Sequence, residues 1–175
     1  RVFSEDQTHV RGGITCDQKT NEPVTGIVEK FYENGQLQWR ANHIGGKREG
    51  LLEEFHENGQ LWGRLNYKNG EVVDGLFEEF HENGQLWRRT NYKNGCEQGL
   101  AEVFYENGQL LWRGNYIEGE KDGLQEHFHE NGQISIRCAY KEGEVDGLYE
   151  HFNEGGTLTN TTWWENGEVV ERYED

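Results

Sequence analysis

Charged side chains of opposite sign recur together along the sequence. Five copies of the pattern place a Glu eleven residues before an Arg, as in Glu29 and Arg40. A row of carboxylates could supply general acid–base catalysis, which needs a free carboxyl group with a raised pKa. A Glu that faces an Arg across a hairpin is instead held as the carboxylate, which favours a structural ion pair. The predicted pairs are Glu29–Arg40, Glu53–Arg64, Glu78–Arg89, Glu102–Arg113 and Glu126–Arg137.

Three histidines in the C-terminal half, together with Cys138, are weak candidates for a metal site. Zinc binds His and Cys side chains when several of them converge. His129, however, occupies a position that elsewhere holds Tyr or another His, so we interpret its ring as a substitute for Tyr. We therefore expect no metal ion. The candidate ligands are His127, His129 and His151.

Cysteine and serine usage bears on both chemistry and compartment. Cys16, Cys96 and Cys138 are odd in number and form no C-x-x-C motif, so we predict free thiols and favour the cytoplasm. A signal peptide removed before Arg1 would instead make the protein secreted or periplasmic. Serine occurs at only two positions, and the sequence has no G-x-S-x-G, phosphate-loop or calcium-loop motif. We expect no catalytic residue and no cofactor, and hence no enzyme.

The composition narrows the class of partner. The 175 residues carry 33 acidic and 17 basic side chains, a formal net charge of −16. This charge repels nucleic acid and anionic membranes, so the expected partner is a basic protein. No apolar run is long enough to cross a membrane as a helix. The aromatic content of 13% indicates a thin folded structure rather than a disordered chain.

A 24-residue repeat positions these side chains, and it occurs six times from Gly26 to Val170. One copy reads G-L-x-E-x-F-[YH]-E-N-G-Q-L-x-x-R-x-N-Y-x-x-G, and the second copy has one extra residue within 71–74. Asn-Gly between alternating apolar and polar residues is a strong hairpin signal. Each copy therefore predicts a strand, a tight two-residue turn, a second strand and a looser Gly turn. The E-N-G-Q glycines are Gly35, Gly59, Gly84, Gly108, Gly132 and Gly156.

These hairpins predict an all-β fold, an elongated single-layer antiparallel β-meander over residues 26–170. Residues 1–25 lack the repeat and are expected to form an N-terminal cap with a strand around Val10–Cys16. Residues 171–175 are expected to form an acidic tail. Open edges at the first and last strands permit an edge-strand dimer. A two-residue turn at Asn34-Gly35 would place Glu29 opposite Arg40.

Strand alternation assigns the side chains to two faces. The repeated face hardly varies between copies and carries the Glu–Arg pairs, a Leu column and a Phe column. We interpret it as the shared structural face. The variable face differs from copy to copy. Its second-strand column reads Trp39, Gly63, Arg88, Trp112, Ile136 and Asn160.

The variable face is the predicted recognition surface, because positions that diverge between copies are released from the shared structural role. The alternative is that exposed positions simply drift. We expect Trp112→Ala to leave the melting temperature nearly unchanged, and Arg89→Ala to cost more stability than Arg88→Ala. Acidic neighbours should affect mainly the association rate. The partner-binding candidates are Trp39, Trp112, Tyr32, Tyr105, Tyr149, Arg88, Glu54 and Glu79.

The E-N-G-Q-L, N-Y-K-N-G and N-Y-I-E-G turns and the D-G-L restarts resemble those of the MORN-repeat variant proteins, over roughly residues 23–170. The sixth copy departs at Gly155 and Thr161, as expected for a terminal capping repeat. That bacterial group is commonly described as the antitoxin half of a toxin–antitoxin pair. The resemblance implies a non-enzymatic protein-binding scaffold, of antitoxin or immunity type, that neutralises a basic partner. The alternative is a secreted or envelope-associated protein that binds a glycan or another extracellular ligand through its aromatic face.

Overall fold

A computed structural model describes residues 1–170 and shows an all-β protein, which confirms the predicted fold class. The chain divides into two compact units, Arg1–Gly84 (unit 1) and Gln85–Asp175 (unit 2). The predicted acidic tail at 171–175 lies outside the described residues. Within residues 1–170, no helix has the length and apolar character needed to cross a lipid bilayer.

Unit 1 contains the N-terminal segment and the first two and a half repeats. Its main sheet has the order β1-β4-β5-β6-β7-β9, and β8 pairs with β7. The β1–β4 pair is parallel, whereas the other pairs are antiparallel. The strands are β1 Val2–Ser4, β2 Thr8–Arg11, β3 Ile14–Asp17, β4 Gly26–Phe31, β5 Leu37–Ile44, β6 Lys47–Phe55, β7 Leu61–Lys68, β8 Glu71–Val72 and β9 Gly75–Phe80.

The N-terminal cap is more elaborate than the predicted strand around Val10–Cys16. A turn at Gly12-Gly13 divides that segment into the separate β2–β3 hairpin, and a 3₁₀ turn at Glu5–Gln7 precedes it. The backbone N–H of Thr15 donates to the Gly46 carbonyl at 2.9 Å, which attaches the hairpin to the first repeat. Because β1 pairs with β4, the first repeat does not have the open edge that the sequence suggested.

Unit 2 contains the remaining repeats in the order β10-β12-β13-β14-β15-β16-β17-β18, with β11 paired to β10. All of its pairs are antiparallel. The strands are β10 Leu86–Lys93, β11 Cys96–Glu97, β12 Gly99–Phe104, β13 Leu110–Ile117, β14 Glu120–Phe128, β15 Ile134–Lys141, β16 Glu144–Phe152, β17 Leu158–Glu165 and β18 Glu168–Val170.

The E-N-G-Q turn is a three-residue turn, so the predicted two-residue type I′ turn is wrong at this position. The N–H of Tyr32 donates to the Gln36 carbonyl at 2.8 Å, and the N–H of Gly35 donates to the Tyr32 carbonyl at 2.9 Å. In this turn only Gly35 has a positive φ, +84°, as in a type I turn followed by a left-handed Gly. A bulge between Lys30 and Phe31 then restores the register, so Glu29 still faces Arg40.

Tight turns with two consecutive positive φ angles occur instead at the second turn of each repeat, where the sequence suggested a looser one. In the second repeat Asn69 and Gly70 have φ of +54° and +87°, as a type I′ turn requires. Successive turns are hydrogen bonded to one another. The N–H of Gly70 donates to the Arg48 carbonyl at 2.9 Å, and the N–H of Gly143 donates to the Lys121 carbonyl at 3.0 Å.

The repeated face was expected to be the more buried one, but in the structure the variable face is more buried. The Leu column of the repeated face is exposed, reaching 53% at Leu76, whereas Val28 and Ala101 on the variable face are 1% and 0% exposed. A second bulge lies in strands such as β5, between Ala41 and His43. Bulges bend strands, and Arg48, which follows this one, contacts Trp39 on the variable face.

Candidate functional site

The variable second-strand column contacts a second column nine residues further along the chain. The guanidinium carbon of Arg48 lies 5.7 Å from the ring centre of Trp39, and the Nζ of Lys121 lies 5.6 Å from that of Trp112. In the third repeat Arg88 forms an ion pair with Glu97. Three of the six column residues therefore have a chemically matched partner, an aromatic ring with a cation or an Arg with a Glu. This internal matching explains much of the divergence between copies.

A deeper column of the variable face varies because large and small residues are paired across strands. Gly114 faces Gln125, whose side chain is 1% exposed and donates through Nε2 to the Asn115 carbonyl at 3.1 Å. A Cβ atom on Gly114 would overlap the Gln125 amide oxygen and lie 2.6 Å from a Trp112 ring carbon. The absence of a side chain at Gly114 therefore makes room for both neighbours.

Trp112 is a core residue, so its prediction as an exposed partner anchor is wrong. It is 8% exposed, and its ring centre lies 6.1 Å from that of Tyr116 and 6.4 Å from that of His127. Burial lowers the pKa of His127, and the nearby Lys121 lowers it further. The melting temperature of the Trp112→Ala variant is accordingly expected to fall.

Trp39 occupies the same column of the first repeat but is only half-buried, and it lines a cavity of about 680 Å³. Glu54 is its register partner on β6. Burial raises the pKa of Glu54, while Arg48 partly opposes that rise. Trp39 thus retains access to a concave surface, whereas the candidates Trp112 and Arg88 line a smaller hollow of about 360 Å³.

Two other candidates, Tyr32 and Tyr105, connect neighbouring repeats. The Tyr32 hydroxyl donates to the Phe55 carbonyl at 2.7 Å, and the Tyr105 hydroxyl to the Phe128 carbonyl at 2.8 Å. His129 replaces Tyr in this role, because its Nε2 lies 3.0 Å from the Phe152 carbonyl oxygen. These contacts give the column a structural role and do not support partner anchors at the two tyrosines.

The remaining histidine candidates lie among aromatic rings. His151 packs against Tyr149 with ring centres 5.1 Å apart, and Tyr149 also lies 6.1 Å from Trp164. Within residues 1–170, no three His, Cys, Asp or Glu side chains are placed to hold a metal ion. The thiols of Cys16 and Cys138 are free and buried, and that of Cys96 is free and exposed.

The charged candidates of the variable face are less accessible than expected. Glu79 is 7% exposed. The side chains of Arg88 and Glu97 are 28% and 17% exposed, whereas the Arg89 side chain is 46% exposed. Because solvent weakens the more exposed ion pair, the expected order of stability losses is reversed, with Arg88→Ala costing more than Arg89→Ala.

The repeated face carries the predicted alternation of Glu and Arg. The ion pairs observed there join each Arg to the Glu of the following repeat, as in Arg40–Glu53 at 2.6 Å, rather than to the Glu of its own hairpin. Each Arg also lies over a Phe ring of the following repeat, as Arg40 does over Phe55 at 5.9 Å. The observed pairs are Arg40–Glu53, Arg64–Glu78, Arg89–Glu102, Arg113–Glu126 and Arg137–Glu150.

An exposed apolar column runs beside these ion pairs in both units. Its members are between 38% and 53% exposed. The residue that faces each of them on the next strand is mostly Asn. Exposed apolar residues mark interaction surfaces when they form one extended patch. The column consists of Ile27, Leu51 and Leu76 in unit 1 and of Leu100, Leu124 and Leu148 in unit 2.

Comparison with known proteins identifies one family. The MORN repeat variant matches residues 24–38, 48–69, 73–94, 97–118 and 121–142, together more than half of the chain. No curated protein sequence matches.

Two similar solved structures are of TarM. One is a mutant of the S. aureus protein in complex with fondaparinux, α-GlcNAc-glycerol and UDP, with 11% identity and a TM-score of 0.36 over 55% of this chain and 19% of that chain. The other has 13% identity and a TM-score of 0.34 over 54% of this chain and 20% of that chain. The chain thus spans about one fifth of their length.

Proposed function

The chain belongs to the MORN repeat variant family, and on this basis we propose that it is a non-enzymatic scaffold that binds a protein partner through its repeated face. MORN repeats are in general protein- or membrane-binding modules. The observation that carries the proposal is the exposed apolar column of Ile27, Leu51, Leu76, Leu100, Leu124 and Leu148. Its residues are large and apolar, as interface residues commonly are, and no other part of their unit covers them.

Charge supports a basic partner. Acidic residues outnumber basic ones by 16 over the whole chain, and the E-N-G-Q turns alone expose six Glu side chains. This field would steer a basic protein to the surface and make association sensitive to salt. These Glu residues are Glu33, Glu57, Glu82, Glu106, Glu130 and Glu154.

A finer version of the proposal is an antitoxin or immunity-type protein that neutralises a basic toxin. It rests on the acidic charge and on the family. The three free thiols favour action in the cytoplasm. Neutralisation of a candidate toxin by the purified chain, lost at high ionic strength, would support this version, and binding without neutralisation would leave only the scaffold role.

The binding surface can be tested with the double variant Leu100→Gln/Leu124→Gln. Proteins retained by the immobilised wild-type chain are identified, purified and titrated against both forms, with Val169→Gln as the control because Val169 is equally exposed and lies outside the column. We expect the double variant to weaken binding at least tenfold, about 1.4 kcal/mol, and the control to leave it unchanged. Equal affinities of wild type and double variant would exclude the repeated face.

A further inference from the structure

A cavity in unit 1 combines a tryptophan floor with polar walls. Val28, Trp39 and His43 form its base, the N-terminal cap contributes one wall, and the turns of the first two repeats contribute the other. Its volume of about 680 Å³ lies within the usual range for small-ligand sites. The wall residues are Glu5, Asp6, Thr8, His9, Val10, Gly13 and Thr15 from the cap, and Gly46, Lys47, Arg48, Asn69, Gly70 and Glu71 from the turns.

Arg48 is the unusual residue of this cavity. It is half-buried, and although it interacts electrostatically with Glu54, no carboxylate oxygen of residues 1–170 lies within the 4.0 Å of an ion pair. By contrast, Arg88 on the variable face of the third repeat has Glu97 as its ion-pair partner. Charged groups taken out of water are normally paired, because desolvation is costly. A half-buried guanidinium without an ion-pair partner at the wall of a cavity therefore indicates an anionic ligand group.

Aromatic rings fix the position of the Arg48 guanidinium. Its central carbon lies 5.7 Å from the Trp39 ring centre and 5.3 Å from the Tyr67 ring centre. Its Nη1 donates weakly to the Tyr67 hydroxyl at 3.4 Å. Held between two rings, the planar fork of an Arg is pre-organised to donate two hydrogen bonds to a carboxylate.

The remaining wall charges limit how much negative charge the ligand can carry. Glu5 is paired with Lys30 at 3.1 Å, which leaves Asp6 and Glu71 opposite the cations Lys47 and Arg48. A polyanion would meet these two carboxylates, whereas a ligand with one carboxylate could place it at Arg48. Its hydroxyl or amide groups could then donate to Asp6 and Glu71.

We propose that this cavity binds a small ligand with a single carboxylate group on a hydroxyl- or amide-rich body. Arg48 holds the carboxylate, and the body lies against the Trp39 indole. A uronic acid sugar and the C-terminal residues of a peptide share this chemistry. The site is independent of the repeated face, so each can fail without the other.

The test is titration of the full chain with matched acids and neutral forms, monitored by the indole N–H signal of Trp39 in NMR spectra. The ligands are D-glucuronate against its methyl ester, and an acetylated dipeptide acid against its amide. One acid should bind saturably and its neutral form at least tenfold more weakly, as expected when a bidentate charged pair is lost. The acid that binds identifies the source of the ligand.

Variants of the chain locate the carboxylate. Arg48→Lys keeps the positive charge but removes the planar fork, and should weaken acid binding at least fivefold. Arg11→Lys, an exposed change on β2 that does not line the cavity, should leave it within twofold of wild type. The proposal is overturned if neither acid saturates at concentrations up to about 10 mM, which corresponds to negligible affinity. It is equally overturned if the neutral forms bind as tightly, or if Arg48→Lys has no effect. The comparison of each acid with its neutral form uses the wild-type chain alone, so it stays valid even if a variant fails to fold.

Discussion

The first and fourth repeats place a Trp at the same position and a cation nine residues later, yet the two clusters differ in access. Trp112 is 8% exposed and borders a hollow of about 360 Å³, whereas Trp39 is half-buried and lines a larger cavity of about 680 Å³. Two residues after each Trp stands Gly114 in the fourth repeat and Ala41 in the first. A Cβ on Gly114 would lie 2.6 Å from the Trp112 ring. We therefore attribute the deeper burial of Trp112 to the absence of the methyl group that Ala41 has in the first repeat.

The largest expected effect comes from removing each Trp in turn. Trp112→Ala deletes a buried ring and should lower the free energy of unfolding by about 3–5 kcal/mol. Trp39→Ala deletes a ring that already borders a cavity, and should cost about half as much because less contact is lost. Urea unfolding of the two variants measures both values. Equal costs would contradict the distinction between a core Trp and a cavity Trp.

The next effect tests the methyl group itself. Gly114→Ala should destabilise the protein by about 2–3 kcal/mol, because the new Cβ collides with Gln125 and Trp112. Ala41→Gly is the reciprocal change and should cost about 0.5–1 kcal/mol, mainly through backbone entropy. The double variant Gly114→Ala/Gln125→Ala should recover part of the loss. No recovery would show that the side chain of Gln125 is not the obstacle.

Sequence periodicity was sufficient for the all-β fold class and for the alternation of Glu and Arg. It could not decide which face is covered. Alternation shows that Val28 and Ile27 lie on opposite faces, but burial depends on the bulge after Ala41, which a pattern of single residues does not reveal. The sequence also assigned the tight type I′ turn to the wrong one of the two turns in each repeat, for a related reason. Asn34-Gly35 has the composition of a type I′ turn, yet the extra residue is absorbed by a bulge near Phe31.

The sequence contains a pattern that points to the residues of the proposed binding cavity. Its spacing is nine residues, whereas strand alternation compares residues two apart. The pairs Trp39/Arg48, Arg88/Glu97 and Trp112/Lys121 each lie nine residues apart and are chemically matched. That matching indicates contact within one repeat rather than release for a partner. The cavity itself could not be predicted, because one of its walls comes from the unrepeated N-terminal cap.

The two clusters should also respond to pH in opposite directions. Burial beside Lys121 lowers the pKa of His127 from its usual 6.5, so the unfolded chain binds this proton more readily and stability falls as pH drops below 6.5. Burial raises the pKa of Glu54 from its usual 4.5 despite Arg48, so stability is lost as pH rises above 4.5. Each contribution should be at most about 1 kcal/mol after solvent screening.

Differences between wild type and variants isolate these contributions. Relative to wild type, His127→Gln should be more favourable at pH 5 than at pH 7.5, whereas Glu54→Gln should be more favourable at pH 7.5 than at pH 4. Urea midpoints across this range provide the measurement. Slopes of the same sign for both variants would show that the direction of one of the two pKa shifts is wrong.

The smallest effect concerns the second turns of the same two repeats. The first repeat uses Gly45-Gly46 there, but the fourth uses Glu118-Gly119, and Glu118 has a φ of +52°. A Glu is strained in this left-handed conformation, whereas Asn tolerates it. Glu118→Asn should therefore stabilise the protein by about 0.5 kcal/mol in thermal unfolding.

A charge effect must be separated from this backbone effect, because Glu118 shares a hollow with Glu120, Asp122 and Glu142. Glu118→Gln removes the same negative charge while keeping a side chain that is equally unsuited to the positive φ. If backbone strain is the cause, only the Asn variant gains the full amount, and added salt does not change the gap between the two variants. If Gln stabilises as much as Asn, the gain comes from relieved repulsion among the carboxylates. The positive φ of Glu118 then contributes no measurable strain to the fourth repeat.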